Sequence, residues 1–260
     1  MVSLSSVPRQ IIHHHLFYGN YDGHPPGDLE LAISTLRRPM TPQLTQDDSD
    51  ERALIFLAGD SSLDNKFWLG QRAQALNGYE NIILPPLMKQ DVCFWINSYL
   101  IRKNLHANTA CVNCAVEASS LSSRAFGVLH KQDAIIQKSL TPKDTLIVSI
   151  GGNDIALVPS LLTVANLLVL SWLVPKTCTE KCACSVGPPN LVPDMGCCCG
   201  CHVLNCAQSY LCGWPPGFGY FVDLFKNRVK NYVKKLVKIS STGRVKKMKP
   251  RRSSKSRLWS

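Results

Sequence analysis

The stretch that decides the fold is ALIFLAGDS, residues 53–61. Its first six residues are apolar, and Gly59, Asp60 and Ser61 follow them at once. An unbroken apolar run that stops at turn-forming residues is typical of a strand buried on both faces. A serine at the exit of such a strand has two interpretations. It can cap a following helix, or it can present its hydroxyl to a ligand at the edge of a sheet.

The rest of the chain predicts an alternation of strands and helices. Apolar runs within residues 80–86, 108–117 and 144–154 predict three further strands. Segments with helical character lie between and after them: 63–76, 91–105, a polar stretch through Lys131, 155–175 and 218–239. Strands that are apolar throughout and separated by helices indicate a parallel sheet covered on both faces. The predicted fold class is therefore α/β.

The length of 260 residues favours a single globular domain. Residues 1–50 are rich in Pro, Gly and polar residues and are expected to form a loosely ordered arm. The domain itself is expected over 51–240, and a basic tail over 241–260. The N-terminus has no basic region followed by a long apolar one. No signal peptide is therefore expected, and a cytoplasmic location is the default expectation.

The net charge of +11 is concentrated at one end of the chain. Of the 29 Lys and Arg residues, 14 lie between Lys226 and Arg257, a segment without Asp or Glu. The other 15 are outnumbered by the 18 acidic residues. The excess charge therefore predicts a basic helix face and a basic tail, and no nucleic-acid partner is expected.

Residues 155–175 form a long apolar run. A membrane-spanning helix needs about 20 predominantly apolar residues, and Pro159, Thr163 and Asn166 interrupt this run. We expect a buried or interface-packed helix here. Membrane association through this run, or through the basic C-terminal helix, is the alternative.

A cysteine-rich insertion is expected at about 176–214, where nine of the 12 cysteines lie between Cys178 and Cys212. The spacings do not reproduce the repeated CxxC pairs of a zinc finger. A structural zinc site, a disulfide cluster and acylated thiols all stay open. The candidate metal ligands are Cys197, Cys199, Cys201 and His202.

Three polar blocks follow predicted strands in a defined order. The first is residues 59–61, the second is VNCAVEASS at 112–120, and the third is SIGGNDI at 149–155. The carboxyl ends of parallel strands meet at the edge where open α/β folds bind ligands. Asn153 is a good donor for an oxyanion hole because its amide can be aimed without carrying charge. The glycines beside it permit a tight turn and close approach of a substrate.

These blocks resemble the motifs of the SGNH (GDSL-type) hydrolases, and the resemblance spans residues 53 to 240. It implies a three-layer α/β/α flavodoxin-like fold with a parallel sheet and a serine hydrolase that acts on ester bonds. Ser61 would be the nucleophile, and its backbone N–H, the backbone N–H of Ala118 and the Asn153 side chain would form the oxyanion hole. The residues that would support them are Gly59, Asp60, Gly151, Gly152 and Asp154. The implied substrate is a small-molecule, lipid or carbohydrate ester, and no cofactor is expected.

The sequence departs from this family in two places. A glycine is usual where Ala118 stands. The family also places its general base in a late Asp-x-x-His motif, and no such motif occurs here. The histidines are residues 13, 14, 15, 24, 106, 130 and 202. We therefore expect a chain that is truncated at its C-terminus or leaves its true frame near Lys249, and that is impaired as an enzyme.

Two other classes of function are consistent with the sequence. One is a non-catalytic remnant that binds a lipid or carbohydrate ester. The other is a Cys/His-rich metal-binding or membrane-tethered module, in which the α/β part serves only as a scaffold.

Overall fold

A three-stranded parallel sheet lies at the centre of the protein. The computed structural model describes residues 11–40, 51–125, 129–156, 161–173, 176 and 218–237. The sheet has the order β6-β2-β7 and consists of β2 (Ala53–Gly59), β6 (Thr109–Asn113) and β7 (Thr145–Ser149). Both neighbours of β2 run parallel to it. The predicted α/β class with parallel strands is confirmed.

The sequence of β2 explains its central position. Leu54, Phe56, Leu57 and Ala58 are each 0% exposed, so the strand is covered on both faces. Such burial on two sides is the environment that an uninterrupted apolar run requires. The register pairs Leu57 with Asn113 of β6 and Gly59 with Ser149 of β7, so that all three strands end at the same edge.

Two small sheets flank the centre. In one, β1 (Ile12–His13) pairs in parallel with β4 (Ile83–Leu84); in the other, β3 (Arg72–Gln74) pairs antiparallel with β5 (Leu87–Lys89). The predicted strand near residue 83 is therefore present but short. The strands of the described residues do not close into a barrel.

The predicted helix over residues 63–76 is wrong. Turns follow β2 instead, and the segment ends in β3. Two causes are visible. Asp64 and Lys66 form a buried ion pair, which holds the chain in a turn, and β3 is extended because it pairs with β5. Ser61 therefore does not cap a regular helix, because turns follow it.

Helices cover the sheet. Their bounds are α1 His14–Gly19, α2 Pro26–Leu36, α3 Val92–Arg102, α4 Leu121–Ala125, α5 Lys131–Ser139, α6 Gly152–Ala156, α7 Leu161–Leu168, α8 Phe218–Val222 and α9 Val229–Leu236. A short 3₁₀ helix covers Tyr79–Asn81, and π-helical segments cover Val169–Leu173 and Asp223–Arg228. The prediction of a polar helix that runs through Lys131 is wrong in its limits. Helix α5 begins at Lys131 and continues to Ser139.

Residues 11–40 are more regular than the loosely ordered arm that their composition predicted. Pro26 stands at the start of α2, where proline initiates a helix rather than disrupting it. Leu29, Ala32 and Leu36 on this helix are 0% exposed and belong to the hydrophobic core. The prolines and glycines before Asp28 thus mark a helix start.

The apolar run 155–175 is not one helix in the described residues. It contributes the end of α6, then α7 and the π-helical segment that follows. None of the helices in the described part of the chain is long and apolar enough to cross a membrane. The cysteine-rich insertion beyond residue 176 and the tail over 241–260 lie outside the described residues.

A buried polar cluster fastens α9 to the rest of the domain. The guanidinium of Arg124 lies 3.2 Å from the carboxylate of Asp133, and both side chains are 0% exposed. The Tyr232 hydroxyl accepts a hydrogen bond of 3.1 Å from Arg124 and donates one of 2.6 Å to Asp133. Three helices, α4, α5 and α9, meet at this cluster.

Candidate active site

Ser61 lies in the turn that follows β2, at the carboxyl edge of the central sheet. One turn of chain closes here, with the N–H groups of Leu63 and Asp64 donating to the Asp60 carbonyl at 3.1 and 3.0 Å. Ser61 is partly exposed. Neither its hydroxyl nor its N–H has a hydrogen-bond partner among the described residues. Both groups are therefore available to a ligand at this edge.

Gly59 brings β2 and β7 unusually close together. Its φ is +147°, and a Cβ built on it would lie 1.8 Å from the Ser149 carbonyl oxygen. No residue other than glycine fits such an approach. The N–H of Asp60 then donates to that same carbonyl at 3.1 Å. The strand exit that carries Ser61 is fixed against β7 in this way.

The Asp60 side chain connects the first block to the third. It is 3% exposed, and its two oxygens accept hydrogen bonds from the N–H groups of Ser62 and Gly151, at 3.0 and 3.1 Å. A carboxylate that accepts two backbone N–H groups shapes the turn on each side of it. The Asp60 oxygens thus accept hydrogen bonds from backbone N–H groups of two different blocks.

The second block packs directly against the first. The N–H of Val116 donates to the Gly59 carbonyl at 3.0 Å, and the Ser119 hydroxyl reaches the same oxygen at 3.2 Å. Between them, Ala118 has a φ of +52°, in the left-handed region. This conformation is the one that glycine adopts freely and alanine does not. The N–H of Ala118 has no acceptor within the described residues.

The third block completes the cluster. The Asn153 side chain donates a hydrogen bond of 2.9 Å to the Ser119 carbonyl, and the Asp154 carboxylate accepts one of 2.6 Å from the N–H of Leu121. Gly151 has a φ of +112°. Each of the three blocks is thus hydrogen-bonded to the other two. The predicted site residues come together at one edge of the sheet, although 87 residues of sequence, 62–148, separate the first block from the last.

Gly152 differs from the other glycines of the site. A Cβ built on it meets no heavy atom within 4 Å. The close contacts with other parts of the protein are instead at Gly59, against the Ser149 backbone, and at Gly151, against the Phe225 ring.

The Ser62 hydroxyl was not anticipated from the sequence as part of the site. It donates to the Ser149 hydroxyl at 2.7 Å, and so links the turn after β2 to the end of β7. A serine next to a candidate nucleophile gives little signal in a sequence, because nothing local shows which hydroxyl will find a partner. Among the described residues, the Ser62 hydroxyl has a hydrogen-bond partner and the Ser61 hydroxyl has none.

No family model, curated protein or solved structure matches the chain. The resemblance to the SGNH hydrolases therefore consists of the three blocks, their order and the strands that carry them.

None of the described histidines is hydrogen-bonded to Ser61. The Nδ1 atom of His24 lies 2.7 Å from the Phe17 carbonyl oxygen, and the imidazole stacks on the Phe17 ring at 3.8 Å. Burial lowers the pKa of His24 well below its ordinary value, and so a neutral ring is favoured. His130 stands at the start of α5. In the described residues, no imidazole is therefore hydrogen-bonded to the candidate nucleophile.

The candidate metal ligands of the cysteine-rich insertion lie outside the described residues. In the part of the chain that is described, no group of three or more His, Cys, Asp or Glu side chains is arranged to hold a metal ion. The described cysteines are Cys93, Cys111 and Cys114, which are buried free thiols. Burial raises the pKa of Cys111 and Cys114, and this keeps both thiols protonated and unreactive.

A buried polar network lies behind the turn that carries Ser61, and sequence reasoning missed it. Lys66 donates to Asp64 at 2.5 Å, and both side chains are 0% exposed. The N–H of Glu117, in the second block, donates to the same Asp64 oxygen atom at 3.1 Å. The network thus connects the first block to the second. Its only sequence signal was a charged pair two residues apart directly after the serine turn.

Asn113 and Asp91 extend this network. The Asn113 amide donates to the Leu63 carbonyl at 3.0 Å and to the Asp91 carboxylate at 3.3 Å. Asp91 also caps α3 by accepting from the N–H of Phe94 at 2.8 Å. Burial raises the pKa of Asp91 to about 6. Burial likewise raises the pKa of Asp64, against the opposing effect of Lys66.

An open groove lies at the other end of the sheet. Residues of α2 and α5 line it, among them Leu31, Ser34 and Lys138. Arg37, at the end of α2, binds the Asp144 carboxylate just before β7 begins. The groove is therefore near the amino edge of the strands, opposite to the edge that carries Ser61, and it contains none of the predicted site residues.

Proposed function

We propose that this chain is a serine hydrolase of the SGNH type with a flavodoxin-like α/β/α fold, and that it acts on ester bonds through Ser61. One observation carries the proposal. Three blocks that are distant in sequence are hydrogen-bonded to one another at the carboxyl edge of a parallel sheet. In that cluster the Ser61 hydroxyl has no partner among the described residues.

The proposed chemistry begins with attack of the Ser61 oxygen on the acyl carbon of the ester. A carbon–oxygen bond forms, and the carbonyl electron pair moves onto the carbonyl oxygen. That oxyanion accepts hydrogen bonds from the N–H of Ser61, the N–H of Ala118 and the side-chain amide of Asn153. Removal of one such donor lowers kcat by about 10²- to 10³-fold in serine hydrolases.

The left-handed conformation of Ala118 supports this arrangement. A φ of +52° is costly for alanine, and backbone strain of this kind clusters where an N–H must be aimed at a ligand. The family to which the blocks are similar has glycine at this position, and glycine adopts such a φ without strain.

The proton of Ser61 needs an acceptor when the hydroxyl attacks, and none of the described histidines is hydrogen-bonded to that hydroxyl. We therefore propose that acylation is slow in this chain. An oxyanion hole and substrate binding alone retain about 10³- to 10⁴-fold catalysis over water in a serine hydrolase. The Ser61 proton is lost to solvent water as the hydroxyl attacks. When the tetrahedral intermediate collapses, the ester carbon–oxygen bond breaks and the leaving alkoxide takes a proton from water. A second water molecule then hydrolyses the acyl-serine, which releases the acid and restores the Ser61 hydroxyl.

A fluorophosphonate probe tests the nucleophile. We expect slow covalent labelling of the full chain at Ser61, located by peptide mass spectrometry, and its loss in Ser61→Ala. Ser62→Ala is the matched control, because it removes the neighbouring hydroxyl and should leave labelling in place. Labelling that survives Ser61→Ala would refute the proposed nucleophile.

A second candidate function is a non-catalytic domain that binds esters. The observation that favours it is the lack of a histidine hydrogen bond to Ser61 among the described residues. It predicts that the probe labels neither serine, and that p-nitrophenyl acetate is hydrolysed no faster than in buffer. Labelling at Ser61 together with hydrolysis above the Ser61→Ala background would instead support the enzyme.

A further inference from the structure

The helical segment over residues 161–173 exposes its apolar side chains. Its exposed apolar residues recur every three or four positions: Leu161 is 91% exposed, Val164 40%, Leu168 46% and Trp172 81%. This spacing places them on one face of a helix. In an ordinary surface helix the apolar face packs inward, whereas here the apolar face is exposed.

The opposite face of this segment is polar and buried. Thr163 and Asn166 are each 1% exposed. The Thr163 hydroxyl lies 2.9 Å from the hydroxyl of Tyr220 in α8, so this face is held against the C-terminal helical region by a polar contact. The apolar stripe therefore cannot turn inward without breaking that contact. Exposed apolar stripes of this kind mark a surface that binds a partner.

The neighbouring C-terminal helical region is strongly basic. Lys226, Lys230 and Lys234 are exposed and recur every four residues. The sequence from Lys226 to Arg257 contains 14 basic residues and no acidic one. An exposed apolar stripe that adjoins a helical region with exposed lysines is complementary to a surface that is both apolar and negatively charged. An anionic lipid bilayer has this combination, whereas a second copy of this basic chain would repel it.

We propose that the apolar stripe of Leu161, Val164, Leu168 and Trp172 inserts into the interface of an anionic lipid membrane, with the exposed lysines of the C-terminal helical region bound to its headgroups. The segment has 13 residues, which at about 1.5 Å per residue is too short to cross a bilayer and suits a position in the interface plane. Trp172 has the amphipathic ring that favours the headgroup level. Apolar insertion and a basic patch together provide the two contributions that stable membrane binding needs.

Vesicle sedimentation of the full chain tests this proposal. We expect binding to vesicles of phosphatidylcholine and phosphatidylserine, weak binding to phosphatidylcholine alone, and loss of binding as salt is raised. Leu161→Gln with Trp172→Gln should weaken the partition constant at least about 10-fold. Lys226→Gln, Lys230→Gln and Lys234→Gln together should weaken it by about 5-fold for each lysine. Trp95→Gln, which changes a tryptophan 55% exposed on α3, is the matched control and should bind like the wild type.

A direct readout comes from quenching of tryptophan fluorescence by lipids brominated in their acyl chains. We expect quenching in the wild type and in Trp95→Phe, and its reduction in Trp172→Phe. Circular dichroism of each variant checks that it is folded. No ester is involved, so the result does not depend on the function proposed for Ser61.

Three outcomes would overturn the proposal. The first is no sedimentation with anionic vesicles. The second is sedimentation that the lysine variant abolishes but the Leu161 and Trp172 variant leaves unchanged. The third is a wild-type dimer in light scattering that becomes a monomer when Leu161 and Trp172 are replaced. The stripe would then be an interface between two copies of the chain.

Discussion

The carboxylate of Asp60 accepts a hydrogen bond of 3.1 Å from the N–H of Gly151, and through it the serine turn after β2 is joined to the asparagine block after β7. The same side chain accepts the N–H of Ser62 at 3.0 Å. Asp60 is therefore a positioning residue in the proposed site. Each of its two carboxylate oxygens accepts a backbone N–H group, so the side chain holds the two turns together.

Replacement of Asp60 should therefore destabilise the chain. Asp60→Ala removes two hydrogen bonds to a buried charged acceptor, and we expect a loss of about 2–3 kcal/mol in the free energy of unfolding. Asp60→Asn keeps one acceptor oxygen and should lose less. Urea denaturation measures both, with the exposed Asp22→Asn as the control, which should differ from the wild type by less than about 0.5 kcal/mol. An Asp60→Ala chain as stable as the control would contradict the joining role.

Ala118 offers a prediction of opposite sign. Because its φ of +52° is unfavourable for alanine, Ala118→Gly should raise the free energy of unfolding by about 0.5–1 kcal/mol. Ala115, two residues beyond Asn113, is 0% exposed and has no positive φ, so it is the matched control. Ala115→Gly should destabilise by about 1 kcal/mol, since it removes a buried methyl group and adds backbone entropy to the unfolded chain. If both variants shift stability in the same direction, Ala118 does not have the left-handed conformation.

The parts of the site that could be predicted from sequence are those with a local signal. The run over 53–58 predicts a buried strand by itself, and the glycines of the third block predict a tight turn. Ser61 and Asn153 could be placed at one edge because parallel strands end together. The buried pair Asp64–Lys66 could not be predicted, because its burial depends on the second block, which is distant in sequence.

The exposed position of Phe225 in the last helical region could not be predicted from the sequence either. Phe225 stands four residues from both Phe221 and Val229, a spacing that predicts one buried helix face, yet Phe225 is 44% exposed. A π-helical segment over Asp223–Arg228 changes the number of residues per turn, so that Leu224 becomes the buried residue instead. The sequence pattern is read at a fixed period of 3.6 and contains no sign of this local change.

Asp91 should make stability depend on pH. Burial raises its pKa from 3.8 in an unfolded chain to about 6, so the folded protein favours the protonated carboxyl. Its contribution to stability is therefore full below pH 4 and is lost as the pH rises through 6. The loss should be about 2–3 kcal/mol. Asp91→Asn keeps an acceptor for the N–H of Phe94 but cannot ionise.

The measurement is urea denaturation of the wild type and Asp91→Asn between pH 4 and pH 7. Other carboxyl groups titrate in both proteins, so the difference between the two isolates Asp91. We expect the wild type to lose stability relative to the variant over this range. A difference that stays constant with pH would show that Asp91 titrates near its ordinary value.

Gly59 and Gly152 form the sharpest pair for testing the geometry of the site. A Cβ on Gly59 would lie 1.8 Å from the carbonyl oxygen and 2.7 Å from the carbonyl carbon of Ser149. Both atoms belong to the backbone of a paired strand, so neither can move without separating β2 from β7. We expect Gly59→Ala to cost more than about 4 kcal/mol, the range reached only by severe disruptions, or to prevent folding.

Gly152→Ala meets no atom within 4 Å and lies in α6, where alanine is favoured over glycine by about 0.5–1 kcal/mol. It should therefore fold with stability equal to or above that of the wild type. Circular dichroism shows whether each variant folds, and urea denaturation measures its free energy of unfolding. A Gly59→Ala chain within about 1 kcal/mol of the wild type would mean that Gly59 does not pack against the Ser149 backbone.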